Sequence, residues 1–134
     1  MQVAVVGASG QVGTFTVAAL EASAHQVVWI SRSSSVDVRS GNGLAAVLAG
    51  VDVVVDASNN RSQDEAEIVA FFRASSRNLL SAEEAAGVRH HVALSVVGID
   101  NGQRVPHYAG KREQERLVAA WPDPVDDRPR DAVP

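Results

Sequence analysis

Val3-Ala-Val-Val-Gly-Ala-Ser-Gly-Gln-Val-Gly13 decides how this chain folds. Four apolar residues run into three glycines, Gly7, Gly10 and Gly13, and an amphipathic segment without proline follows, Gln11 to Ala22. Strand, glycine turn and helix in that order form the context of a dinucleotide-binding fingerprint. The spacing is G-x-x-G-x-x-G, one residue wider than the common form. Gly7 is expected to end the strand in a turn that a side chain would obstruct. Gly10 lets backbone approach a pyrophosphate, and Gly13 lets the helix pack close to the sheet. The first-turn N–H groups and the helix dipole then face the phosphates.

Composition excludes several classes. The chain has 134 residues, enough for one domain with its own core. A net charge of −4 and a pI near 5.5 argue against a general nucleic-acid surface. Aromatic residues make up only 4%, too few for stacking platforms. The absence of cysteine rules out disulfides and thiolate metal sites. It is compatible with a reducing cytoplasm, the expected location. No apolar run has membrane-spanning length, and Met1-Gln2 leads directly into a strand, so neither a signal peptide nor a membrane partner is expected.

Periodicity gives the remaining elements. Val3 to Val6 reads as a strand buried on both faces. In the helix that follows, Val12, Phe15, Thr16, Ala19 and Leu20 are expected to face the sheet. Gln26 to Ile30 is the second strand, with Trp29 in a core or sheet-face position. Ser33 to Asn42, with Val36 and Val38 alternating, suggests a short edge strand, and Gly43 to Gly50 a short helix. Val51 to Ser58 is a third core strand. A long helix over Asp64 to Ala86 buries Ala66, Val69, Phe72, Leu79 and Leu80. A capping box over Ser62 to Glu65 starts it, and Gly87 stops it. Val88 to Val97 is the next strand. His90 and His91 point to opposite faces there, so no metal site is expected. His107 to Val118 is the last helix.

The chemistry collects at strand ends. Ser31-Arg-Ser33 follows the second strand, where such folds read the adenosine ribose. An acid there selects NAD, whereas the guanidinium of Arg32 matches a 2′-phosphate and favours NADP. The alternative is a solvated surface arginine. Asp56, Ala57 and Ser58 lie at the carboxyl end of the third strand, where open α/β sheets hold ligands. Asp56 either touches the cofactor or caps the next loop. Ser95 ends the fourth strand on the same side. It faces a helix carrying His107 and Lys111 one turn apart, with Tyr108 beside them.

Taken together these stretches resemble a family. Gly7-Ala-Ser-Gly-Gln-Val-Gly13, Ser31-Arg-Ser33, Val53-Val-Val-Asp-Ala-Ser-Asn59, His91-Val-Ala-Leu-Ser-Val-Val-Gly98 and Tyr108-Ala-Gly-Lys111 are similar to the NmrA-like members of the atypical short-chain dehydrogenase/reductase superfamily. The resemblance runs from about residue 2 to about residue 120. It implies an α/β fold, a Rossmann-like doubly wound parallel sheet, binding NAD(P) over residues 1–121. Gly7, Ser9, Gly10, Gln11 and Val12 would wrap the pyrophosphate, with Gly13 seating the helix. Arg32 would hold the adenosine end, and Ala57 and Ser58 would lie near the cofactor. Ser95 and Lys111 match the serine and lysine of the superfamily's Ser-Tyr-Lys set, in which the lysine lowers the tyrosine pKa and the tyrosine passes the proton. The position four before Lys111 is His107. Tyr108 is one residue late, rotated about 100° around the helix. The catalytic candidates are therefore Ser95, Lys111, His107 and Tyr108, and three readings follow. One is an NADP(H)-dependent oxidoreductase of quinone or carbonyl substrates. The second is a non-catalytic NADP(H)-sensing regulator, and the third a truncated inactive remnant. The implied partners are the dinucleotide and a small-molecule substrate.

After Trp121 the pattern changes. Residues 122–134 have no apolar period, are rich in proline and charge, and are expected to be an irregular, disordered tail. The family carries another strand and a substrate region at this point, so the sheet is expected to be incomplete. Residues after about Val125 are expected to be a frameshifted reading of that strand. One allowed back-translation, with a single base deleted at the Val125 codon, reads Val-Thr-Ile-Val-Arg-Ala-Thr-Gln-Phe, a β-branched strand.

Overall fold

The structure, a computed structural model, describes residues 1–31, 33–94 and 106–121. Strands and helices alternate through them. They are β1 (Gln2–Val6), α1 (Gln11–Ala22), β2 (Gln26–Ile30), α2 (Leu44–Val47), β3 (Val53–Asp56), α3 (Glu65–Ala86), β4 (His90–Ala93) and α4 (Pro106–Ala120). The sheet has the order β2-β1-β3-β4, and every pairing is parallel. The chain steps from β1 outward to β2, then crosses back to β3 on the other side of β1. That reversal opens a crevice at the carboxyl ends of β1 and β3, where ligands bind in folds of this kind.

β1 is central, so from Val3 to Val6 its residues are apolar whichever face they point to. Ala4 and Val6 join Ile30, Leu44, Leu48, Val54 and Leu79 on the face that carries α2 and α3. Val5 packs with Ala8 and Val17 on the face that carries α1. This is a Rossmann-like α/β sheet, as the strand–turn–helix stretch implies.

The seat of α1 differs from the one its periodicity suggests. Gly13 and Val17 are its buried residues, with Thr16 and Leu20 half-buried, whereas Val12, Phe15 and Ala19 face outward. Phe15 is 71% exposed and Val12 54%. Both registers satisfy a helical period. Contact with the glycine turn selects the one that points Gly13 at the sheet, and the i+3, i+4 rule then carries Thr16, Val17 and Leu20 inward. Trp29 occupies a sheet-face position opposite Val5 in the ladder and is half exposed.

Three further expectations are corrected. Residues 33–42 form turns and no strand. The backbone carbonyls of Val38 and Arg39 accept instead from the side-chain amide of Asn78, at 3.0 and 2.9 Å, while Val36 and Val38 pack against the core. The N-cap of α3 is Asp64, whose carboxylate accepts from the Ala66 N–H, and there is no capping box. Ser62 instead donates to Glu67 at 2.6 Å and accepts from the Asp64 N–H. The buried face of α3 runs through Ile68, Phe72, Ser75, Ser76, Leu79, Leu80 and Glu83, so Ile68 replaces Ala66 and Val69 as its first anchor. Gly87 ends the helix as expected. The expected strand through Val97 is seen as β4, and its part beyond Leu94 lies outside the described residues, as does the tail 122–134. Among the described residues no helix is long and apolar enough to cross a membrane.

Candidate functional site

The site begins with the turn between β1 and α1. The N–H of Gly7 donates to Ile30 O at 2.8 Å, which ties the turn to the end of β2. Gly7 has φ +78°, and a Cβ there would stand 2.7 Å from the Ala57 carbonyl oxygen, so the turn lies directly against the end of β3. A Cβ on Gly13 would stand 1.9 Å from Gly7 O, which fixes how close α1 approaches. Ser9, Gly10, Gln11 and Val12 are exposed at the sheet's carboxyl edge.

The N-terminus of α1 is left open. No side chain caps Gly10, and the first turn contains no acidic residue. Thr14 turns its hydroxyl inward, donating to Gly10 O at 2.7 Å. The leading N–H groups of the helix thus have no partner from a capping side chain, which suits an anion. A dinucleotide pyrophosphate fits these donors, which no capping side chain among the described residues occupies, and a Cβ at Gly10 would meet only Gly7 O, at 3.3 Å.

At the end of β3, Asp56 is fully buried and caps the loop that follows. Its Oδ1 accepts from the Ser58 N–H at 3.0 Å and the Ser58 hydroxyl at 2.5 Å. Its Oδ2 accepts from the side-chain amide of Gln114 at 3.0 Å. Both carboxylate oxygens are thus engaged by protein donors. Ser58 is buried with it, while Ala57 is half-buried beside Gly7.

α4 brings Lys111 to the same place. Its ammonium donates to Leu94 O at 2.9 Å and to Gln114 Oε1 at 3.1 Å, and lies 4.9 Å from the centre of the Phe72 ring. Burial lowers the Lys111 pKa, and the negative charges of Asp56 and Glu115 oppose that shift. His107, one turn earlier, meets Phe72 edge-to-face at 5.9 Å. Burial first, and the Lys111 charge second, hold its pKa below the usual imidazole value. Tyr108 is half-buried on the neighbouring stripe of the helix. Ser95 and Arg32 lie outside the described residues.

A cleft of about 460 Å³ opens next to His107, lined by Asn59, Asn60, Arg61, Ser62, Gln63, Ile68 and Pro106. Sequence reading assigned no chemistry to this polar loop. The available signal was its position immediately after a core strand on the ligand side. Gln114 was also missed, although Gly110, Gln114 and Val118 recur at four-residue intervals on the buried stripe of α4.

The depressed His107 pKa has a consequence for stability. The unfolded chain binds a proton at about pH 6.5, and the folded chain only at lower pH. Stability attributable to His107 is therefore complete above the unfolded value and is lost as pH falls through the folded one. Urea unfolding between pH 5 and 7 is expected to show this loss in the wild type and a flatter profile in His107→Gln. Identical profiles would place His107 in water.

The comparisons agree with this geometry. A family model described as NAD(P)H-binding matches residues 7–123. No curated protein sequence matches the chain. Among solved structures, a short-chain dehydrogenase/reductase superfamily protein from Agrobacterium tumefaciens with bound NAD is 25% identical, with a TM-score of 0.75 over 89% of this chain. MoeE5 in complex with UDP-glucose and NAD is 22% identical, with a TM-score of 0.76 over 90%. The triphenylmethane reductase of Citrobacter sp. complexed with NADP(H) is 20% identical, with a TM-score of 0.70 over 87%. The chain covers 44%, 49% and 45% of these three proteins respectively, less than half of each.

Proposed function

The chain belongs to the NAD(P)H-binding family, and from that premise we propose that residues 1–121 hold NADP(H) in an oxidoreductase acting on a quinone or another carbonyl compound. The observation that carries the reading is the uncapped N-terminus of α1, set against a glycine turn at the crevice between β1 and β3. Gly7, Ser9, Gly10, Gln11, Val12 and Gly13 form the pyrophosphate cradle. Ala57 lies across the crevice from it.

A bound NADPH supplies a hydride. The chain's own residues position the acceptor and handle the proton. His107 borders the cleft, and its lowered pKa keeps it neutral at pH 7, so its ring offers one N–H donor and one lone pair. The amides of Asn59 and Asn60 and the guanidinium of Arg61 add donors for a carbonyl oxygen. Lys111 supplies the positive charge behind them. By the resemblance Ser95 matches the serine of the Ser-Tyr-Lys set, and Tyr108 is out of register.

Arg32 is assigned to the 2′-phosphate, and this sets the cofactor preference. A charge-assisted hydrogen bond contributes about 1.5–3 kcal/mol, roughly ten- to a hundredfold in affinity. Calorimetric titration should show tighter binding of NADPH than of NADH, and Arg32→Ala should weaken NADPH by that factor while sparing NADH. Equal losses for both would remove Arg32 from the site. NADPH oxidation on addition of a quinone then separates an enzyme from a cofactor-sensing protein, for which binding persists without turnover.

A further inference from the structure

We propose that Gln114 is a positioning residue for Lys111, a single buried amide that joins the Asp56 carboxylate to the ammonium and fixes where the remaining N–H of Lys111 points. The inference rests on the reading of Lys111 as part of the cofactor and substrate site. Lys111 is also the only lysine in the chain; the other eleven cationic side chains are arginines.

The geometry leaves the amide one orientation. Asp56 needs a donor and Lys111 needs an acceptor, so Nε2 faces the carboxylate at 3.0 Å and Oε1 faces the ammonium at 3.1 Å. Gln114 is fully buried, so water cannot replace either bond without opening the core. The carboxylate's other oxygen is held by Ser58, which anchors the far end of the chain of bonds to the loop after β3. At the near end, Leu94 O takes a second N–H of the ammonium. Two of its three N–H bonds are thereby fixed by α4 and the end of β4, and the direction of the third follows from tetrahedral geometry. A buried amide between two charges also polarises along the same line, strengthening both bonds.

The charged and titratable groups acting on Lys111 are Asp56 from β3 and Glu115 and His107 from α4. α3 contributes the ring of Phe72, and β4 leads into the Leu94 carbonyl. Burial disfavours the charged amine, and the Asp56 charge favours it. Gln114 supplies the hydrogen-bonded link between them, so removing it costs the ammonium an acceptor and leaves Asp56 Oδ2 without this donor.

Because there is one lysine, a chain labelled with ¹³C,¹⁵N-lysine gives one side-chain ε-methylene signal, which can be followed through its titration. In Gln114→Met and in Asp56→Asn the midpoint should move to lower pH relative to the wild type. A double-mutant cycle supplies the second readout. Gln114→Met and Lys111→Met should each weaken NADPH binding, and the double variant should bind no worse than Lys111→Met alone, since one acts through the other. An unmoved midpoint in Gln114→Met, or affinity losses that add, overturns the proposal; the shift in Asp56→Asn calibrates the direct effect of the charge. If Gln114→Met fails to fold, Gln114→Asn, which keeps a buried amide but shortens it by one methylene so that it cannot span Asp56 and Lys111 together, carries the titration test by itself. If the wild type binds neither NADPH nor NADH, the cofactor reading falls, and the lysine titration still decides the role of Gln114.

Discussion

Gly13→Ala is expected to cost on the order of 3 kcal/mol or more, beyond the roughly 1–3 kcal/mol of ordinary overpacking. The added methyl would stand 1.9 Å from Gly7 O, 2.7 Å from Gly7 C and 2.9 Å from the Ala8 Cα. All three are backbone atoms, so no rotamer change relieves the clash. The helix must lift from β1 or the glycine turn must distort. Either movement breaks the contact of Val17 with Val5 and Ala8. A domain of this size has only about 5–15 kcal/mol of net stability, so the variant should unfold at a much lower urea concentration or lose its cooperative transition. A midpoint equal to the wild type would mean that α1 is not seated on Gly13. The comparison substitution is Gly10→Ala, which meets only Gly7 O at 3.3 Å and should cost far less.

Gly10→Val separates binding from folding. The position has backbone φ −75° and ψ 175°, an extended conformation that any residue adopts. Valine is a poorer N-cap than glycine, and the expected penalty is about 1 kcal/mol or less. Under the proposed reading its side chain would obstruct the approach of a pyrophosphate to the first-turn N–H groups. Affinity for NADPH should fall about a hundredfold or more, equivalent to ~2.7 kcal/mol. The wild type should gain thermal stability when NADPH is added, since a ligand that binds only the folded state raises its stability by mass action. Gly10→Val should show almost no gain while unfolding near the wild-type temperature without ligand. Retained affinity would move the phosphates away from this turn and with them the assignment of Ser9, Gln11 and Val12.

The amino-acid sequence by itself determined the frame of this protein. The run Val3 to Val6, the glycines at 7, 10 and 13, and the apolar strand ending in Asp56 specify a parallel sheet with its ligand edge at the glycine turn. Local chemistry is enough for that: β-branched runs favour strands, and a turn with φ +78° at Gly7 strongly favours glycine. Gly87 likewise marked the end of α3. What required tertiary structure was the choice among locally equivalent solutions. Helical periodicity allowed α1 to present either Val12, Phe15 and Ala19 or Gly13, Val17 and Leu20. The close approach of Gly13 to Gly7 O decided it, a contact that periodicity does not encode. Val36 and Val38 alternate as a strand would, but Asn78, about 40 residues away in the chain, takes their segment's carbonyls. Asp56 read equally well as a ligand contact or a cap. Gln114, 58 residues later, supplies the donor to its second oxygen and turns the carboxylate inward. In the last two cases the deciding partner is distant in sequence, and in the first it is a backbone contact across the glycine turn; a buried polar group or a backbone contact can be satisfied only once the chain has closed around it.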